Sequence, residues 1–310
     1  MGFSRRDLLA ASGLAALGSL PIFGHAAVKR RRVLRIAHIT DIHVMPERSA
    51  ALGMERCLEH AQGQGADIIF MGGDMVMDTL MAEKDRVKAQ WDVYKNVLRA
   101  NRSVPVVHAL GNHDVWGWGD KMKFGSEAGF GKAYAMDRLH MSRSYSSFDR
   151  AGWHFVVLDS LFETRMNGYV ARLGREQFEW LADDLKSVPK DRPVLVMSHI
   201  PIISAAAFFH GENERTGNWH VPGAWMHMDA RLLKDLFAQH PNVKTCISGH
   251  IHLNDKIEYQ NVKYIGTGAG CAAWWGGPFQ GVGNGYSIID LYNDASVENR
   301  YVEYGWKPVS

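Results

Sequence analysis

Five short polar motifs in this chain each begin where a short apolar run ends, and that arrangement constrains the fold more than any bulk property. DIH stands at 41–43, GGD at 72–74, GNHD at 111–114, VMSH ends at His199, and GHIH stands at 249–252. The runs that precede them, 33–40, 67–71, 104–110, 193–198 and 243–248, have the length and the Val and Ile content of strands. Helices are expected at 47–62, 80–100, 175–188 and 229–240. In the second of these Val87, Trp91, Tyr94 and Leu98 recur at three- and four-residue steps, and in the third Phe178, Leu181, Leu185 and Val188 do so; both stripes are core faces. Strands alternating with helices give an α/β domain. In such sheets ligand-binding residues gather beyond the carboxyl ends of the strands, so motifs far apart in sequence meet at one edge. The glycines within them allow the tight turns this requires.

Further strands are expected at 153–158, 256–265, 286–292 and 297–304, and the close spacing of the last ones suggests antiparallel pairing. The expected architecture is therefore two mixed β-sheets packed as a sandwich flanked by helices, in one domain over 27–310. A chain of 310 residues that is 46% hydrophobic can bury such a core. The formal net charge of +2 provides no electrostatic footprint for nucleic acid. Cys57, Cys246 and Cys271 are odd in number and unclustered, which argues for free buried thiols over a disulfide framework or a thiolate metal site.

The first residues read as an address. Ser4, Arg5, Arg6, Asp7, Leu8 and Leu9 precede an apolar, Gly- and Ala-rich run over 8–23 that is too short to span a bilayer comfortably. SRRDLL resembles the twin-arginine export signal, with Leu8 where that signal prefers Phe, and the small residues around 24–26 permit cleavage. The alternative is an amphipathic or anchoring helix. The resemblance implies residues 1–26 as a signal peptide, passage through the twin-arginine export machinery, a periplasmic or extracellular location, and a mature protein without a transmembrane segment.

The motifs together offer three carboxylates, one amide and five imidazoles, donors that divalent zinc, iron and manganese accept. Their order resembles the signature of the calcineurin-like metallophosphoesterase superfamily: DxH, GD, GNH(D/E), a lone His and GHxH. The resemblance covers nearly the whole mature chain. It implies two divalent transition-metal ions, Mn, Fe or Zn, with Asp41, His43, Asp74 and His252 holding one and Asp74, Asn112, His199 and His250 holding the other. Asp74 would bridge, since a carboxylate has oxygens to share where an imidazole offers one ligating nitrogen at a time. If DIH and GHIH are extended, each pair of ligands shares a strand face. The implied reaction is hydrolysis of a phosphate ester. A metal-bridging hydroxide, available because bound water falls from a pKa of 15.7 toward about 7, attacks phosphorus in line. His113 is implied as the catalytic non-ligand, stabilising the phosphoryl group or protonating the leaving alkoxide.

Departures narrow the branch. Purple acid phosphatases carry Tyr, and protein serine/threonine phosphatases carry Asp, three residues after the bridging Asp; this chain has Met77. Asp78 or Asp114 could orient His113 instead. The DIH and GNHD forms, and LDS at 158–160 followed by Gln177, Trp180 and Leu181, look most like the bacterial cyclic-nucleotide and glycerophosphodiester phosphodiesterase branch. That favours a phosphodiester over a phosphomonoester, with a protein phosphatase, a nuclease and a non-catalytic metal-binding homologue as rivals. Trp116 and Trp118 follow GNHD, and Trp274 and Trp275 lie in the Gly-rich stretch 266–285. They are candidates to stack on a base or line a leaving-group pocket, the alternative being ordinary packing. Arg165, with Asn167, is a candidate phosphate contact. The segment 204–229, with His210, Trp219, His220, Trp225 and His227, is either a lid or a surface insertion. His38 and His108, inside strands, read as core histidines with satisfied hydrogen bonds.

Overall fold

The computed structural model describes residues 29–209 and 213–308, so the export-signal expectation over 1–26 and His210 lie outside the described residues. The first half runs β1 (Arg32–Ile39), α1 (Ala50–Gly63), β2 (Ile68–Met71), α2 (Lys84–Asn101), β3 (Val106–His108), α3 (Lys121–Phe124), α4 (Ala133–Leu139), β4 (Ser146–Arg150) and β5 (Trp153–Leu158). It continues with β6 (Leu161–Glu163), β7 (Tyr169–Ala171), α5 (Arg175–Ser187), β8 (Val194–Ser198), α6 (Ala230–Gln239), β9 (Val243–Ser248), β10 (Asp255–Tyr259), β11 (Val262–Gly266), β12 (Gly285–Tyr292) and β13 (Val297–Glu303). Among the described residues no helix is long and apolar enough to cross a membrane.

Two mixed sheets result, one ordered β13-β12-β1-β2-β3 and the other β10-β11-β9-β8-β5-β4, with β6 and β7 as a separate hairpin. The period of two along each strand builds the layers. Leu34, Ile36 and Phe70 of the first sheet meet Phe155, Val157, Leu195, Met197 and Ile247 of the second in a shared inner core. Their neighbours Ala37, Ile39, Ile69 and Met71 point outward onto α1 and α2, burying Met54, Leu58, Val87 and Trp91. Val156, Leu158, Val194 and Val196 point the other way onto α5 and α6, against Leu181, Leu185, Leu233 and Phe237. Helices, sheet, sheet and helices thus form four layers, the expected sandwich.

Several expected boundaries move for identifiable reasons. α2 starts at Lys84 and not at 80, because Leu80 N–H is taken by Asp78 Oδ1 and the hydroxyl and N–H of Thr79 by His113 O. β3 shrinks around Pro105, which has no N–H for the ladder. The expected strand 256–265 is a hairpin, β10 and β11, turned by Gln260 and Asn261 with φ of 50° and 63°, the pair of positive φ values that a tight two-residue turn needs.

One partly buried ion cluster ties β4 and β5 of the second sheet to α5 and makes its stability depend on pH. His154 of β5 binds Asp149 Oδ1 of β4 through Nδ1 at 2.7 Å and Asp184 Oδ2 of α5 through Nε2 at 2.9 Å. Burial lowers the imidazole pKa, but the bonds to Asp184 and Asp149 outweigh it and hold it above 6.5. A group raised on folding stabilises fully below its unfolded pKa, and the effect fades as pH rises through the folded one. The stability lost in His154→Gln, about 1–3 kcal/mol from charge-assisted bonds, is therefore expected to be larger at pH 5.5 than at pH 9 in denaturant titrations. Equal losses at both pH values would contradict it.

Candidate metal centre

The motifs follow β1, β2, β3, β8 and β9, and β1, β2 and β3 run parallel within the first sheet, as β8 and β9 do within the second. Their side chains meet at the common edge. His43 Nε2 lies 3.2 Å from His252 Nε2 and 3.6 Å from Asp74 Oδ2. His252 Nε2 lies 3.4 Å from Asp41 Oδ1. On the other side of Asp74, the same Oδ2 lies 3.3 Å from His199 Nε2, which is 3.2 Å from Asn112 Oδ1. His250 joins here, its ring centroid 5.1 Å from that of His199. Asp74 Oδ2 therefore stands between two clusters, one with Asp41, His43 and His252, the other with Asn112, His199 and His250.

The route to this geometry differs from an extended DxH strand. β1 ends at Ile39, and Asp41, His43, Asp74, His250 and His252 all have positive φ, between 41° and 71°. Left-handed backbone costs non-glycine residues on the order of 1–3 kcal/mol each. Cross-strand bonds hold it: Asp41 N–H donates to Gly73 O and His43 N–H to Asp74 O. The face-sharing expectation for DIH and GHIH is thus replaced by successive turns that aim both residues inward. Gly111 is required for a related reason, because a Cβ there would collide with the Asp74 carboxylate.

A donor set this crowded fits cations. His43, His252 and His199 each point Nδ1 at a backbone carbonyl, those of Met77 (3.2 Å), Ala272 (2.8 Å) and Gly72 (2.8 Å). Donation from Nδ1 fixes the tautomer and leaves Nε2 as the ligating nitrogen. Two such lone pairs facing each other at 3.2 Å repel unless a proton or cation lies between them. Asp41 Oδ1 is buried without a hydrogen bond, although Oδ2 is satisfied by the Thr40 hydroxyl and His250 N–H. Burial pushes the Asp41 and Asp74 carboxyls up, yet the surrounding histidines, His199 foremost, hold both below the ordinary carboxylate range. Burial pulls His199 down, and Asp74 and Asp41 overcome it to raise it to about 9. His43 falls to about 3, from burial and then from His113. Carboxylates held ionised beside imidazoles whose Nε2 atoms converge are a donor set that a divalent cation would satisfy.

Asp78 and Asp114 separate cleanly. Asp78 Oδ1 lies 3.6 Å from His113 Nδ1, an ion-pair distance without a hydrogen bond. Asp114 is fully buried and instead accepts the N–H groups of Asp74 (2.9 Å), Met75 (2.9 Å) and Gly111 (2.8 Å), clamping GGD to GNHD. Burial and the charge of Asp74 push its carboxyl up to about 8. The His113 ring meets His43 edge-on at 4.6 Å, and its backbone N–H donates to Asp74 Oδ1 at 2.8 Å.

The substrate candidates fare unequally. Trp116 is fully buried and donates to Ala82 O, and Trp275 is 2% exposed and donates to His43 O. Both are core residues, so the expectation that they touch substrate is corrected. Trp274, by contrast, is half-buried with its ring 4.9 Å from that of His252. Arg165 is exposed in the turn between β6 and β7 and forms no ion pair among the described residues; Asn167 accepts Lys121 N–H. Within 204–229, Ala206 and Ala207 pack against Ile251 and Leu253 beside GHIH, and His227 is buried between Asp229 and Ser198. His38 is buried and bonds Thr267 through Nδ1, its Nε2 having no hydrogen-bond partner among the described residues, and the partly buried His108 bonds Tyr94. Tyr169 of β7 has no sequence signal at all. Burial raises its phenol, and the charges of Asp74, Asp78 and Asp41 add to the rise, so this hairpin brings a hydroxyl into the field of the site.

Residues 34–254 match the family model for calcineurin-like phosphoesterases. The chain is 26% identical over 255 residues to a 3',5'-cyclic-nucleotide phosphodiesterase of Nostoc, covering 77% of this chain and 79% of that protein. It is 23% identical over 267 residues to the 3',5'-cyclic adenosine monophosphate phosphodiesterase CpdA of Escherichia coli, covering 83% and 82%. Its fold is similar to that of a dimetal phosphatase from Danio rerio, with a TM-score of 0.61 at 15% identity over 89% of this chain and all of that one. The chain belongs to the calcineurin-like phosphoesterase family, whose members depend on metal ions.

Proposed function

We propose that the protein hydrolyses phosphodiesters at a centre for two divalent ions. The observation that carries this is the position of Asp74 Oδ2, 3.6 Å from His43 Nε2 and 3.3 Å from His199 Nε2, between two sets of convergent nitrogen and oxygen donors. Asp41, His43 and His252 would hold one ion, Asn112, His199 and His250 the other, and Asp74 both. When bound, such a pair makes a nucleophile available near neutral pH and neutralises charge on the phosphoryl oxygens. The protein's own contribution is orientation. Backbone carbonyls fix three imidazoles by their Nδ1, and the Asp114 clamp fixes the loop that carries Asn112 and His113. His113, a quarter exposed and beside Asp78, would hand a proton to the departing alkoxide. The diester preference follows the two cyclic-nucleotide phosphodiesterases that the chain resembles. Export by the twin-arginine route belongs to the same proposal and rests on SRRDLL and the apolar run at 8–23.

The test is a substrate panel of bis(p-nitrophenyl) phosphate, p-nitrophenyl phosphate, 3',5'-cyclic AMP and a glycerophosphodiester, run with Mn, Fe or Zn. kcat/KM for at least one diester is expected to exceed that for the monoester by about tenfold or more. A faster monoester would make the protein a phosphatase, and no turnover with two ions bound would make it a binding protein.

A further inference from the structure

The loop after β11 carries two adjacent tryptophans that the fold treats in opposite ways. Trp275 is locked in the core: its Nε1 donates to His43 O, its ring meets Trp306 edge-on at 5.5 Å, and it fills the space over Gly53. Arg48 Nη1 donates to Trp274 O, Trp275 N–H to Cys271 O, and Ala273 N–H to Gly277 O. These bonds keep Ala272, Trp274 and Trp275 at φ of 47°, 48° and 72°, a left-handed path that bulky residues avoid. Strain of this kind persists only where the surroundings over-determine it, and it concentrates at functional sites.

The outcome of that strain is the position of the Trp274 ring. It lies 4.9 Å from the His252 imidazole and 6.2 Å from that of His43, beside the first donor cluster. Phe279, held by its bridge to Val282, meets Trp274 edge-on at 5.8 Å and His252 at 5.8 Å. Trp274 stays half-buried, and among the described residues its Nε1 donates to no acceptor. Trp275 and Trp116, by contrast, are buried and donate to His43 O and Ala82 O.

We infer that Trp274, braced by Phe279, is a stacking wall for a planar aromatic group carried on the phosphoester, specifically a nucleobase. The inference rests on the proposed hydrolytic site, since the wall borders the His43 and His252 side of it. A base has a π-face whatever its hydrogen-bonding edge, so stacking on one tryptophan favours nucleotides over sugar or alkyl esters without selecting one base sharply. Such stacking is worth about 5- to 150-fold in affinity.

Binding to the full, metal-loaded chain tests this with two probes that share a phosphate and a ribose, AMP and ribose 5-phosphate, by calorimetry on wild type, Trp274→Phe and Trp274→Ala. Wild type is expected to prefer AMP. Trp274→Ala should lose that preference by about 5- to 150-fold with ribose 5-phosphate unchanged, and Trp274→Phe should keep most of it. Equal weakening of both probes, or of neither, overturns the wall. So does loss of bound metal in Trp274→Ala, which would make the ring a cover for the ligands. If wild type prefers AMP but hydrolyses no ester, the wall stands and the hydrolytic proposal fails.

Discussion

Asp74→Asn is expected to lower kcat/KM on the best diester by on the order of 10³-fold or more while leaving the fold intact. Asp74 lies within reach of both donor clusters, and its replacement removes a negative charge and one shareable oxygen together. Asparagine keeps a carbonyl oxygen able to accept the His113 N–H that Asp74 Oδ1 accepts at 2.8 Å. It also keeps the backbone N–H that donates to Asp114 at 2.9 Å. The scaffold around the site should therefore survive, with circular dichroism and the unfolding midpoint near wild type. Activity within tenfold of wild type would mean that the two clusters do not share a bridge.

His113→Ala should cost about 10² to 10⁴ in kcat with both ions retained. Its ring sits edge-on to His43, a donor of the first cluster, and its Nδ1 lies 3.6 Å from Asp78 Oδ1. If it protonates the departing alkoxide, the loss must depend on how much help that alkoxide needs. The defect should be large for an alkyl leaving group and shrink toward nothing for p-nitrophenolate, which leaves well unprotonated. A loss of the same size for both would assign His113 to charge stabilisation at phosphorus. Asp78→Asn should follow His113→Ala in direction but with a smaller effect, because Asp78 acts only through the imidazole.

What the sequence made legible was what local pattern encodes. Short apolar runs placed β1, β2, β5, β8 and β9 to within a residue or two, because each strand has one face in the shared core and one under a helix and so is apolar on both. The expected donor set came from the order of the motifs, through its resemblance to the metallophosphoesterase signature, and the fold brings those residues to one edge. Backbone sign was not legible. Five donors at positive φ are held by bonds from other segments, such as Asp41 N–H to Gly73 O, and no local preference reports such bonds. Nor could residue type distinguish Trp274 from Trp275, since one residue of backbone rotation sends the first toward the site and the second into the core. The hairpin of β6 and β7, with Tyr169, escaped notice because three-residue strands have no period to read. Asp78 and Asp114 were equivalent by spacing; only the bonds of Asp114 to the backbone N–H groups of Asp74, Met75, Val76 and Gly111 show that it is occupied elsewhere.

The bridging centre is tested most directly by metal content, measured by plasma mass spectrometry on wild type and Asp74→Asn after loading with Mn, Fe or Zn and removal of excess ion. Two ions per chain are expected in wild type, with both sites weakened together in Asp74→Asn. One ion or none in a wild-type protein that hydrolyses diesters, or two ions retained in the variant at wild-type affinity, would contradict it.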